Sequence, residues 1–241
     1  MFEDVVVAAQ FRALHAGVGD ALLDEAARMA GCASGIGRLS LLSDEMLARI
    51  SARLGLREDR RVLDIGCGRG FLERWLRYAG CAARATGIDR APGAIAAARR
   101  HCPEAEFMEA DYRTQGFEPE FGAVAALELS ASGKLPAALL TATARALCEG
   151  GVFCITAASL DGRHEQRLND AEPALRERFS DVEILDATRD AGAFAQRLYG
   201  ACLQIDQWNP EIRPRIVEQA HAVLEAIDRG DFHYSIAFGR R

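Results

Sequence analysis

The 241-residue sequence predicts an α/β fold built on a mainly parallel sheet, and three observations carry that prediction. From about residue 60 to residue 160, short β-like runs alternate with helical segments, the pattern of parallel strands joined by crossover helices. The first run, in "RVLDIGCGRGFLERWL", passes through Gly66, Gly68 and Gly70 straight into an amphipathic helix. Acids stand at the ends of three successive runs: Asp64, Asp89 and Asp111.

Taken in order, residues 1–55 read as helices, the clearest in "SDEMLARISARLG". Ser43 is placed to cap it, Asp44 and Glu45 suit the positive end of its dipole, and Gly55 ends it. Met46, Leu47, Ile50 and Leu54 form its apolar face. The glycine-rich "GCASGIGRLS" ahead of it is a connector. Strands are expected over 61–66, 84–89, 105–111, 121–128 and 151–158, with helices over 71–79, 91–102 and 135–147 between them. In the first of these helices Phe71, Leu72, Trp75, Leu76 and Ala79 share one face, which core packing explains. A helix over 165–178 is expected to kink or split at Pro173, and a strand over 181–187 follows it. A helical block spans 191–229; its last helix starts near Pro214, turns Val217, Ala220, Leu224 and Ile227 inward, and stops at Gly230. The closing "FHYSIAFGRR" alternates as a strand with one buried face does. No repeat or proline-rich linker divides the chain, so residues 1–241 read as one catalytic domain: a helical cap over 1–55, a core over 56–160, and helices with final strands over 161–241.

Composition limits the function. Hydrophobic residues at 49% and charged residues at 27% are those of a soluble globular protein. The 29 basic against 35 acidic residues give a net charge of -6, so no global field gathers a nucleic acid, and a small-molecule substrate is favoured. Seven cysteines are scattered without a C-x-x-C pair, which suggests no metal site and a reducing, cytoplasmic setting. The opening residues lack the basic and apolar segments of a secretory signal, and no apolar run approaches the roughly 20 residues that cross a bilayer. Whether the chain is a monomer or a homodimer is left open.

A turn free of side chains lets a strand bend sharply into a helix and lets a ligand approach the backbone. The same glycines also fit an ordinary strand-to-helix turn. A dinucleotide fingerprint needs a third glycine where Phe71 stands, which weakens a nicotinamide oxidoreductase, and a phosphate loop needs a lysine that the turn lacks. Asp64, two residues before Gly66, repels a pyrophosphate and favours a cation at the mouth of the turn. Asp89, about 20 residues beyond the turn, stands where an acid accepts from ribose hydroxyls. Asp111 is placed to accept from an exocyclic amine.

"VLDIGCGRG", "TGIDRAPGAI" and "AEFMEADYR" resemble the first three motifs of the class I, seven-strand S-adenosylmethionine-dependent methyltransferases, over about residues 56–160. The resemblance implies a Rossmann-like three-layer sandwich with strand order 3-2-1-4-5-7-6, strand 7 antiparallel and formed by "FHYSIAFGRR". It implies S-adenosylmethionine as cofactor and S-adenosylhomocysteine as product. It assigns the methionine portion to Asp64 and the backbone of Gly66, Cys67 and Gly68, the ribose to Asp89, the adenosine flanks to Ile88 and Arg90, and the adenine amine to Asp111 beside Tyr112. Gly122 stands where the family often has an aspartate at the start of strand four, a departure outside the cofactor set.

For the acceptor, Glu128 at the end of strand four is the candidate catalytic residue; a solvated acid or a ligand for the cofactor's amino group are the alternatives. Candidate substrate-lining residues are Phe11, His15, Phe194, Leu198, Tyr199 and Trp208, each also readable as core or surface. As acid–base groups His15, His101, His164, His221 and His233 are weaker than Glu128. The N-P-P-Y/F motif that flanks a flipped base is absent, "ELSASG" standing in its place. The expected function is methyl transfer to a small metabolite or natural-product intermediate, with a catalytically silent cofactor-binding protein as the alternative.

Overall fold

A computed structural model describes residues 20–38, 40–56, 60–81, 83–129, 135–162 and 164–241. Its strands are β1 (Arg61–Ile65), β2 (Arg84–Asp89), β3 (Glu106–Glu109), β4 (Phe121–Ala126), β5 (Leu147–Ser159), β6 (Ser180–Asp186) and β7 (His233–Arg240). They form one sheet in the order β3-β2-β1-β4-β5-β7-β6. β7 runs antiparallel to both of its neighbours, and the other pairings are parallel. The helices are α1 (Asp20–Met29), α2 (Asp44–Arg53), α3 (Phe71–Tyr78), α4 (Pro92–His101), α5 (Ala137–Ala146), α6 (His164–Arg178), α7 (Thr188–Gln204) and α8 (Arg213–Arg229).

The central strand shows why the sheet is covered on both sides. Val62 packs with Ile50 of α2 and with Leu72 and Trp75 of α3, whereas Leu63 and Ile65 pack with Leu139 and Leu140 of α5. Buried on both faces, β1 is an almost continuous apolar run, broken by Asp64 alone. α2 starts as its sequence dictates, with Ser43 accepting from Met46 N at 3.2 Å. It ends at Gly55, φ +59, where Gly55 N reaches Ala52 O and Leu56 N reaches Ser51 O, the paired bonds of a Schellman cap.

Several expectations need correction. α6 is one helix through Pro173, so the chain does not split there. In α8 the fully buried face is Ile216, Ala220, Val223 and Ala226, while Leu224 and Ile227 are only partly buried. The helix packs on α7 as well as on the sheet, and small alanines allow the closer approach. β7 buries both faces, because Tyr234, Ile236 and Phe238 join the core with α7 and α8 on one side while Ala237 on the other joins Leu175 of α6. β5 begins at Leu147, earlier than expected, and β3 is shorter than expected.

Candidate active site

In this sheet the chain leaves β1 toward β2 on one side and later returns to β4 on the other. The ends of β1 and β4 are therefore the switch point where an open α/β sheet has its crevice. The glycine turn sits there. Gly66, Gly68 and Gly70 have φ of +77, +55 and +73, the left-handed region that favours glycine. The turn is pinned to β2: Gly66 N and Cys67 N donate to Ile88 O at 2.8 and 3.0 Å, and Gly68 N donates to Asp89 Oδ2 at 3.0 Å. Asp89 Oδ1 accepts from Ala91 N at 2.8 Å at the start of α4. One carboxylate thus fixes two loops, and each oxygen keeps acceptor capacity for a further donor. A Cβ on Gly66 would overlap Leu129 Cδ1, which lies over the turn.

Asp64 is not at the mouth, as its spacing suggests, but beneath the turn, 1% exposed, and its Oδ2 has no hydrogen-bond partner. β1 is covered on both faces, so a residue pointing away from Leu63 and Ile65 still points inward. Burial, then the neighbouring Glu73 and Asp89, pushes its carboxyl well above the ordinary range. Sequence reasoning missed Glu73, which is 4% exposed with neither carboxylate oxygen partnered. Burial raises it to about 7. Its signal was present: Glu73 stands three residues before Leu76, on the margin of the apolar stripe of α3.

Of the remaining cofactor candidates, Cys67 and Ile88 are buried and offer backbone groups only, while Arg90 is exposed. Burial pushes the Cys67 thiol far up. Both oxygens of Asp111 are engaged by Arg113, whose Nε lies at 2.9 and 3.0 Å, and Arg113 holds that carboxyl below its usual range. An amine at Asp111 has to share it with Arg113. Tyr112 beside it is half-buried.

Glu128 lies two residues beyond β4 with φ +57, an uncommon conformation for a side-chain-bearing residue. Its N–H donates to Thr156 Oγ1 at 2.8 Å. Its Oε1 accepts from Leu41 N at 2.7 Å and from Tyr234 Oη at 3.0 Å. Burial raises its pKa, opposed by hydrogen bonds from Ser40, Leu41 and Tyr234 and by the charge of Arg38. The segment carrying Leu41 is itself anchored: Arg38, 3% exposed, donates to Leu42 O and pairs with Asp44 at 2.9 Å.

The expected lining residues divide. Tyr199 stands near Glu128, whose charge adds to burial in raising its phenol, and its hydroxyl accepts from Gln219 at 3.0 Å. Phe194, Leu198 and Trp208 instead form the core between α1, α7 and α8 with Leu23, Ala26 and Ile216. Trp208 Nε1 is spent on Cys202 O at 2.8 Å. Phe11 and His15 lie outside the described residues. Among the described residues there is no cluster of metal-ligating side chains and no helix long and apolar enough to cross a membrane.

Comparison with known proteins fits this geometry. A family model described as "Methyltransferase domain" matches residues 62–151. A ubiquinone biosynthesis O-methyltransferase of Xanthomonas oryzae pv. oryzae is 38% identical over 120 residues, 47% of this chain and 48% of the relative. The chain thus matches about half the length of that curated relative. Among solved structures, a Haemonchus contortus phosphoethanolamine N-methyltransferase 2, bound to phosphomonomethylethanolamine and S-adenosylhomocysteine, aligns with a TM-score of 0.72 at 18% identity. That alignment covers 90% of this chain and 56% of the other. The cyclase SpnF aligns at 0.64 and 19% identity, over 82% of this chain and 81% of its own. At such identities the two structures speak for the fold. With the sheet order and the pinned glycine turn beside it, the match over residues 62–151 makes this part of the chain similar to a methyltransferase domain.

Proposed function

We propose that the chain binds S-adenosylmethionine at the ends of β1 and β2 and transfers its methyl group to a small metabolite or natural-product intermediate. The observation that carries this reading is the glycine turn held by Asp89 above the unpartnered Asp64 carboxyl. The residues present fit the cofactor. Asp89 has acceptor capacity left for ribose hydroxyls, the turn exposes backbone rather than side chains, and the orphaned Asp64 oxygen lacks the donor that an ammonium group provides. When bound, the cofactor supplies a methyl group on a sulfonium that leaves as a neutral thioether.

The chain's part in the reaction is mainly placement. Holding an acceptor in line with the departing sulfur is worth up to about 7 to 11 kcal/mol. Glu128 is the proposed acid on the acceptor side, next to the end of β4, with Tyr199 and Tyr234 close to it. Its anchored geometry suits orientation of an acceptor, and its raised pKa suits proton removal from one. The similarity to the O-methyltransferase covers 47% of the chain and leaves the acceptor atom undefined.

Calorimetry with S-adenosylhomocysteine tests the cofactor site, and absence of binding at millimolar ligand would count decisively against it. Turnover is tested with a panel of phenols, amines, carboxylic acids and prenyl-like acceptors. A second reading is a cofactor-binding protein that performs no transfer, since one fold can carry unlike activities. Tight cofactor binding with no methylated product from the whole panel would favour it.

A further inference from the structure

We infer that Glu73 is a second acid of the cofactor site, sharing one proton with Asp64 in the free protein and releasing it when a cation settles on Asp64. The inference rests on the proposed cofactor reading. Asp64 on β1 is the cross-strand partner of Gly87 on β2, and a Cβ built on Gly87 would lie 2.8 Å from Glu73 Oε1. Glu73 therefore reaches down from α3 onto the strand position beside Asp64. Three oxygens of the two acids, Asp64 Oδ2 and both of Glu73, have no hydrogen-bond partner. Two adjacent buried carboxylates without a donor are prohibitively costly, and one shared proton removes a charge and supplies the missing donor.

Among the described residues, no cation pairs with either acid. On α3, Arg74 is committed to Asp24 at 3.1 Å and Arg77 to Glu104 at 3.0 Å. Arg61, at the start of β1, pairs with Glu120. Close to the two acids stand Asp89 at the end of β2, the Cys67 thiol in the turn, Thr86 on β2 and Cys102 after α4, while the cavity beside Glu73 also carries Arg61, Arg77 and Arg84 with Glu104 and Glu106. Burial raises both carboxyls, and at Asp64 the charges of Glu73 and Asp89 add to it.

The pair also has an exit to water. A cavity of about 490 Å³ at the amino-terminal end of the strands reaches Glu73 past Leu76, Cys81, Thr86 and Cys102. It approaches from the end opposite the crevice. The step balances simply: an ammonium group brings one positive charge to Asp64, the O–H bond of the shared proton breaks, and the proton passes through the cavity to buffer.

Two measurements on the full chain test this. Titration with S-adenosylhomocysteine at pH 6.5, in buffers of different ionisation enthalpy, should show release of a substantial fraction of one proton. Affinity should rise by up to about tenfold per pH unit below pH 7 and level off above it. In Glu73→Gln, whose amide donates to Asp64, release should fall to near zero and affinity should change less than about twofold between pH 6 and 8. Infrared spectra of the free protein at pH 7 should show a protonated-carboxyl stretch that disappears in Glu73→Gln and, independently, in Asp64→Asn. A free protein without that stretch, or binding without proton release, overturns the inference. The stretch present but no nucleotide bound overturns the cofactor reading instead, so the two failures are distinguishable.

Discussion

Tyr234 donates its hydroxyl to Glu128 Oε1 at 3.0 Å, tying the start of β7 to the point where the chain leaves β4. The same oxygen takes Leu41 N at 2.7 Å, so one half-buried acid joins three segments distant in sequence. Glu128→Ala leaves both donors unpaired and should cost about 2 to 4 kcal/mol of stability by urea denaturation, and Tyr234→Phe about 1 to 2 kcal/mol. Glu128→Gln keeps an acceptor at that position and separates structure from chemistry. If Glu128 removes a proton from the acceptor, turnover falls at least about 100-fold while the midpoint of unfolding barely moves. Turnover within threefold of wild type would assign Glu128 to the framework alone.

Asp89 accepts from Gly68 N and Ala91 N, which makes it both a loop tie and the proposed ribose acceptor. Asp89→Ala should weaken cofactor binding by about 1.5 to 3 kcal/mol, and Asp89→Asn by less, since the amide oxygen can still accept. Wild-type affinity in the alanine variant, measured by calorimetry, would remove Asp89 from the site.

Much of this arrangement was legible in the sequence because it is local. Glycine spacing, acid spacing and the alternation of runs placed β1, the turn, α3 and β2 nearly to the residue, and the family resemblance supplied the sheet order. What escaped depends on contacts between distant segments. Nothing near Glu128 announces Leu41 or Tyr234 as its partners. An aromatic residue such as Phe194 or Trp208 reads alike whether it lines a pocket or fills the core between α1 and α7. β7 alternates like a one-faced strand, yet its small Ser235 and Ala237 are buried too, Ala237 in the core that includes Leu175 of α6. Asp64 was found by its motif, whereas its depth follows only from helices packed on both faces of the sheet.

Gly66 combines a φ of +77 with Leu129 lying where a Cβ would go. Gly66→Ala should therefore cost at least about 1 to 2 kcal/mol and displace Leu129 from the turn. Pairing it with Leu129→Ala removes the overlap but not the backbone strain, so the double variant should recover only part of the loss. Full recovery would mean that steric overlap alone is at work, and additive losses would mean that the two residues do not meet.

The buried acid pair gives the fold a pH dependence of defined sign. Glu73 is raised from 4.5 to about 7, so between those values the folded protein holds a proton that the unfolded chain has lost. Its contribution is present in full below about pH 4.5 and disappears as the pH rises through 7, opposite to the acid-labile contribution of Asp44, whose carboxyl is lowered. In Glu73→Gln this alkaline loss should vanish. Relative to wild type, the variant should gain stability between pH 5 and pH 8, by an amount on the order of 3 kcal/mol if Asp64 does not take over the proton. Urea denaturation of both proteins at pH 5, 6, 7 and 8, without nucleotide, reads the difference directly. Parallel stability profiles would show that Glu73 stays ionised in the fold, and the shared proton would have to be abandoned.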